Sequence, residues 1–334
     1  REGMAQAVFD ENPFQLGVAA GDPLPDGFVI WTRLAPRPME PGYGMPRQAM
    51  AVQWEVAADA GFGTIVRSGE AIARPELGHS VHVEVEGLEP GRPYFYRFRV
   101  GSERSGVGRA KTTPVVGAPL AQVKFGVAGC QAIESGYYTA HRKMAAEDLD
   151  FVFFYGDYIY EGRGNRTYGG TSTQENLRVH QGGEVYSVDD YRRRYAQYTM
   201  DSDLQSARQS AAWFVVWDDH EIANDAWVGG AENHTEGAEG TWPGRVAVGL
   251  QAYYEWMPVR PPEMRSDVRP ERGDPRRNQR SFHIGDLVEL VMLEERLSAR
   301  SQQLPATVPT PFGTGFVQTG EFLNPERTLL GAKQ

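Results

Sequence analysis

Apolar and polar positions divide the chain into two stretches of different period. From Arg1 to about residue 115, Val52-Gln53-Trp54-Glu55-Val56 and Val81-His82-Val83-Glu84-Val85 alternate apolar with polar. That is the period-two signature of strands with one face in a core. Phe28-Val29-Ile30-Trp31-Thr32-Arg33 follows the turn residues Pro25-Asp26-Gly27 and reads as another strand. Between Gly87 and Val100, Leu88 and Pro90 precede Tyr94 and Tyr96 at a strand entry. This arrangement suggests the tyrosine corner of an immunoglobulin-like or fibronectin-like sandwich. The aromatic residues of this stretch read as core. His79 and His82 fall on different faces of their segment, a poor geometry for a metal pair, and read as surface.

The segment from Thr112-Thr113-Pro114 to Gly117-Ala118-Pro119 is a Pro- and Gly-bearing linker, and beyond it the pattern becomes strand, helix, strand. Val123 to Ala128 is a strand ending at Gly129-Cys130. Tyr138 to Asp148 has helix-forming composition and crosses over to Phe151, which predicts a right-handed βαβ unit with His141 on the helix surface. Phe151-Val152-Phe153-Phe154-Tyr155 is a continuous apolar run closed by Gly156, as expected of a strand buried on both faces. Trp213 to Trp217 is a third such strand. The fold class is therefore α/β behind an all-β N-terminal part.

The connections carry further expectations. The loop from Gly162 to about Val185 is long enough to be a lid or binding loop, with Arg163 and Arg166 on it. Ser187 to Asp190 has the form of a capping box, and Val188, Tyr191, Tyr195 and Tyr198 keep helical spacing. The run Arg192-Arg193-Arg194 reads as solvated helix surface. Asn224 to Gly244 is a second glycine-bearing loop holding His234, read as neither ligand nor substrate contact; a helix follows from Arg245 to Trp256. Met257 to Arg280 reads as irregular surface. Ser281 to Leu293 reads as a hairpin feeding a fourth buried strand. Pro305 to Pro325 reads as loop, and Glu326 to Gln334 as the start of a helix.

Composition narrows the function classes. The chain has 334 residues, 40% hydrophobic and 11% aromatic, enough for two domains with a sizeable core. Its net charge of −10 argues against a nucleic-acid scaffold, which would carry a basic face. An acidic protein that handles anions needs metal ions to reverse the sign locally. No apolar run approaches the roughly 20 residues of a membrane span, and the start at Arg1 shows no charged-then-apolar leader. The single cysteine, Cys130, has no internal disulfide partner; burial as a small hydrophobe is the usual fate of such a residue, and a free thiol or a ligand are the other readings.

Chemistry collects at strand ends. Asp157 and Tyr160 follow the Phe151 strand, Cys130 follows the Val123 strand, and Asp218-Asp219-His220-Glu221 follows the Trp213 strand. Open α/β sheets place their sites at the carboxyl edge. An acid and a phenol three residues apart can hold a hard, highly charged cation. A carboxylate beside a histidine supplies a ligand and a proton donor within one turn.

These residues carry a resemblance. The opening FQLGVAAGDPLPDGFVIWTRLAP, AGCQ around Cys130, GDYIYE around Asp157, WDDHE around His220, AENHTEGAEGTW, YYEWMPVRP and LEERLSAR together resemble the PhoD-type alkaline phosphatase family of metallophosphoesterases. The resemblance implies an immunoglobulin- or fibronectin-like β-sandwich over residues 1–117. It implies a two-sheet αββα metallophosphoesterase domain over 118–334, cut short at its C-terminal end, since family members continue into a strand with a further metal-binding motif. It implies ferric iron and calcium. Cys130, Asp157 and Tyr160 would be iron ligands, with Asp157 bridging to calcium. Asp219 stands where phosphoesterases have the Asn of GNHE, and His220 where they have the catalytic histidine. The pair Asp157 and Tyr160 is also similar to the Gly-Asp-x-x-Tyr of purple acid phosphatases. Thiolate and phenolate suit ferric iron, and oxygen ligands suit calcium. The expected activity is hydrolysis of phosphate esters by a metal-activated water with His220 assisting, in a periplasmic or secreted protein. A phosphodiesterase or phospholipase D-type hydrolase on the same metals, and an inert two-domain binding protein, are the alternatives. Oligomeric state is not legible.

Overall fold

The computed structural model describes residues 9–164, 178–260, 276, 278–305, 307–310, 313–316 and 320–332. Two sheets organise them. The larger has six strands: β1 (Val18–Leu24), β2 (Gly27–Arg33), β5 (Ser80–Val85), β9 (Phe125–Ala128), β10 (Phe151–Phe154) and β11 (Ala212–Val215), in the order β5-β2-β1-β11-β10-β9. Strands β1, β11, β10 and β9 run parallel, while β2 and β5 extend the sheet antiparallel. The second sheet is antiparallel, with β3 (Met50–Ala57), β4 (Ile65–Ala73), β6 (Pro93–Val100), β7 (Glu103–Arg104) and β8 (Gly108–Lys111). Main-chain hydrogen bonds between β1 and β11 thus join the N-terminal stretch directly to the strands that carry the chemistry.

Period two explains how one sheet serves two cores. Trp31, Val152, Phe154, Trp213 and Val215 point to the helical side, where Tyr158, Tyr191, Tyr195 and Trp256 pack on them. Phe28, Ile30, Phe151, Ala212 and Phe214 point to the other side and meet Val52, Val56, Tyr96 and Phe98 of the antiparallel sheet. Phe151 to Phe154 is therefore covered on both faces, as its unbroken apolar run requires. The Tyr94 hydroxyl accepts from the Glu89 amide at 2.9 Å, tying the entry of β6 to the turn before it.

The helices are α1 (Thr139–Ala145), α2 (Val188–Thr199), α3 (Ser202–Ser210) and α4 (Trp242–Trp256). Ser187 and Asp190 form the capping box that starts α2. Several expectations are corrected. Arg192 and Arg194 are buried, because α2 packs against α4 on one side and lies against Gly162 and Gly183 on the other. Arg192 grips Glu255 at 2.6 and 2.5 Å, and Arg194 donates to the carbonyls of Tyr160, Gly162 and Gly183. His141 lies inside, bonded to Gln131 at 2.8 Å and stacked on Trp213. His79 is buried too, and the His82 ring reaches the Met257 carbonyl at 2.8 Å.

Ser281 to Leu293 forms a two-stranded hairpin, β12 (Arg280–Ile284) and β13 (Val288–Met292), but β13 is not a buried strand. Only Met292 of β13 is fully buried, since one face alone is covered. Pro305 to Pro325 contains a second hairpin, β14 (Thr307–Thr310) and β15 (Gly313–Phe316), in place of plain loop. No helix occurs among the described residues 326–332. Most of the Met257 to Arg280 segment, and Arg166, lie outside the described residues. No helix among the described residues is long and apolar enough to cross a membrane.

Candidate metal centre

Strands β9, β10 and β11 end side by side, and their loops are tied into one platform. The Cys130 amide donates to the Gly156 carbonyl at 3.0 Å, and the Gln131 amide to the Asp157 carbonyl at 3.1 Å. Cys130 and Asp157 both adopt left-handed backbone, at φ 52° and 54°, so both chains turn sharply at their strand ends. Gly156 is demanded by closeness: a Cβ there would lie 2.4 Å from the Asp218 amide. Glu221, fully buried, fastens the second pair of loops. Its carboxylate accepts from Tyr158 N at 2.6 Å, Asp218 N at 3.0 Å and Asp157 N at 3.2 Å.

The five residues singled out from sequence meet on this platform. Ligand atoms of Asp157, Asp219 and His220 all lie within 4.8 Å of one another, and all three residues are buried. The Tyr160 hydroxyl donates to Asp157 Oδ2 at 2.9 Å, and the rings of Tyr160 and His220 sit 4.1 Å apart. The His220 amide approaches Asp157 Oδ1 at 3.4 Å. Cys130 places its thiol against the Asp157 carboxylate and the Tyr160 hydroxyl. It is free and exposed, which corrects the expectation of burial: β9 is the outer strand of the sheet, so its end is open on one side.

Electrostatics single out the same group. Although the residue is exposed overall, partial desolvation of its thiol against the platform and the neighbouring Asp157 charge push the Cys130 thiol up to about 12. Burial and Asp157 likewise raise Tyr160. Burial raises Asp157, against the pull of His220, and raises Asp219 to about 6. Four anion-forming groups share one place with too little positive charge to ionise together. A multivalent cation would supply that charge, and the donor set of one thiol, one phenol, two carboxylates and an imidazole is chemically suited to receive it.

His220 is held from behind. Its Nδ1 meets Glu161 Oε2 at 2.6 Å, and Glu161 also accepts from Asn224 N at 2.9 Å and Asn233 Nδ2 at 2.8 Å. Burial disfavours the imidazolium, but the Glu161 contact outweighs it and lifts His220 to about 9. Burial also works against charge on Glu161, yet His220 and Asn233 hold that carboxyl down at about 2. Glu161, Glu221, Asn233 and Arg296, which ion-pairs with Asp218, were not assigned from sequence. The available signal was their place inside GDYIYE, WDDHE, AENHTEGAEGTW and LEERLSAR. His234 does not join the group: its ring packs on Trp242 and pairs with Glu236 and Glu239. Arg163 is exposed at the start of its loop.

Comparison with known proteins gives a consistent set of matches. A family model described as PhoD-like phosphatase matches residues 125–334, and one described as PhoD-like phosphatase, N-terminal domain, matches residues 2–114. Alkaline phosphatase D of Bacillus subtilis (strain 168) is 44% identical over 326 residues, covering 98% of this chain and 53% of the relative. A solved structure titled as that of PhoD superposes with a TM-score of 0.86 at 42% identity, covering 98% of this chain and 59% of the other. The chain therefore spans about half the length of the curated relative it matches.

Proposed function

The chain belongs to the PhoD-like phosphatase family, and from that premise we propose that it hydrolyses phosphate esters as an alkaline phosphatase of the D type. The observation that carries this reading is the meeting of Cys130, Asp157, Tyr160, Asp219 and His220 at three adjacent strand ends. Cys130, Asp157 and Tyr160 would hold ferric iron, and Asp157 with Asp219 would hold calcium. When bound, these ions supply Lewis acidity toward the phosphate oxygens and lower the pKa of a water. The other tasks belong to the chain. Glu161 takes the proton of His220 Nδ1 as a hydrogen bond, which fixes the tautomer and directs Nε2 to the reaction. His220 Nε2–H then gives its proton to the departing ester oxygen. Glu221 keeps the Asp157 and Asp218 loops from separating during this exchange.

The reading extends to organisation and location. Residues 1–117 would make up the immunoglobulin- or fibronectin-like part and 118–334 the αββα metallophosphoesterase part, a division supported by the two family matches, with β1 of the first bonded to β11 of the second in one shared sheet. The protein works in the periplasm or outside the cell on a phosphate-ester substrate. Elemental analysis and a visible spectrum test the metals, since ferric iron on a phenolate absorbs visible light and calcium does not. His220→Ala is expected to lower turnover with metals retained, and Cys130→Ser to lose iron. Unchanged turnover in the first variant would remove His220 from the reaction. Comparing monoester with diester turnover separates the phosphatase from a phosphodiesterase.

A further inference from the structure

We propose that Arg296 binds a non-bridging oxygen of the phosphoryl group, an inference that rests on the phosphatase reading above. The residue follows β13 in a turn organised by Glu294, which is fully buried. Glu294 Oε1 accepts from Arg296 N at 2.9 Å, Leu297 N at 2.7 Å and Trp217 Nε1 at 3.0 Å, and Oε2 accepts from Ser298 N at 2.7 Å. The backbone that presents Arg296 is therefore rigid, and it is anchored to the strand that ends in Asp218.

The guanidinium is fixed at one corner by a hydrogen bond and holds only ion-pair contacts at the others. Its Nε donates to Asp218 Oδ1 at 2.5 Å. Nη2 lies 3.4 Å from Asp219 Oδ1 and Nη1 lies 3.8 Å from Asp225 Oδ1, ion-pair distances without a hydrogen bond. Nη1 is buried with no hydrogen-bond partner among the described residues. A guanidinium offers five N–H donors in a rigid fork matched to phosphate oxygens, and here only the Nε donor makes a described hydrogen bond. Nη2 faces Asp219, one of the three clustered metal-ligating candidates, Nη1 faces Asp225, and the side chain keeps 12% of its surface exposed. A phosphate dianion entering among Asp157, Asp218, Asp219 and Asp225 needs positive charge close by, and Arg296 ion-pairs with three of those four carboxylates. Anchored by Asp218, it is the donor built to meet the incoming anion.

The experiment compares the metal-loaded wild type with Arg296→Lys, Arg296→Met and Asp218→Asn. Binding of inorganic phosphate is read by calorimetry, metal content by elemental analysis, and kcat and KM with a phosphate monoester. Loss of charge-assisted hydrogen bonds predicts that Arg296→Met weakens phosphate binding and raises KM by roughly ten- to a hundredfold with metal content kept. Arg296→Lys, which keeps charge without the fork, is expected to recover only part of the loss. Asp218→Asn, which loosens the Nε anchor, is expected to fall nearest the wild type. Phosphate affinity unchanged in both Arg296 variants would overturn the proposal. So would a loss that merely follows loss of metal, since Arg296 would then be a strut for its three carboxylates. A wild type that takes up metal but binds no phosphate and hydrolyses no ester would instead sink the phosphatase reading itself.

Discussion

The antiparallel sheet of β3, β4, β6, β7 and β8 and the strand-end platform of β9, β10 and β11 solve opposite problems. In the first, buried side chains such as Val52, Val56, Tyr96 and Phe98 are apolar or aromatic and are satisfied by packing. In the second, Asp157, Glu161, Asp219, His220 and Glu221 are buried side by side and satisfied by one another or by backbone amides. Burying apolar surface stabilises a fold directly, whereas burying charge is favourable only with compensation. The difference predicts that the antiparallel sheet supports stability and that the platform draws on it to hold a cation.

The largest effect belongs to the apolar side. Phe98 is wholly buried in β6, opposite Trp54 across the strand pair. Truncation to Ala removes a ring from a close-packed core, and large-to-small changes of this kind cost about 3–5 kcal/mol. Phe98→Ala should therefore lower the urea midpoint sharply while leaving metal content per folded molecule unchanged. Metal lost in proportion to stability would show that the two regions are not separable.

Charge removal on the platform should act with the opposite sign. Asp219 is an acid whose folded pKa is raised to about 6, chiefly by burial. Above that pH the metal-free fold carries a charge that the unfolded chain bears at less cost, so ionised Asp219 opposes folding. In metal-free protein at pH 7, Asp219→Asn is expected to raise stability on the order of 1 kcal/mol. The same change should weaken metal uptake. A variant that is less stable without metal and unaltered in metal binding would break the comparison, because Asp219 would then be an ordinary structural carboxylate.

How far each region was legible follows from the same physics. The strands and the α2 cap were readable because period two, continuous apolar runs and the Ser187 box are local signals. The five candidate residues could be grouped because they stand at strand ends, where chain position alone brings them together. Partners that arrive from distant sequence were not. Arg192 becomes interior only because Glu255, 63 residues away, waits for its guanidinium. Glu161 looks like the polar end of a strand until Asn233 and His220 close over it. Cys130 defied the usual burial of lone cysteines because the strand it follows lies at the sheet edge. Long-range polar pairing leaves no period in a single chain, so charged residues were read as solvated.

His82 offers the smallest and most direct test of that last error. It sits on β5, paired across to Trp31, with Nε2 against the Met257 carbonyl. Burial holds its pKa down at about 4, against the pull of that carbonyl. As pH falls below the unfolded value of about 6.5, the unfolded chain takes up a proton that the folded ring refuses. The contribution of His82 is therefore fully present above pH 6.5 and is lost progressively as pH falls toward 4. Between pH 7 and pH 6 the loss amounts to about 0.7 kcal/mol. Urea unfolding across this range, with wild type and His82→Gln compared at each pH, isolates the term because the other histidines titrate alike in both. The variant should show the shallower fall on acidification. Parallel profiles would return His82, which is half-buried on the outer strand β5, to the surface role its alternating strand suggested.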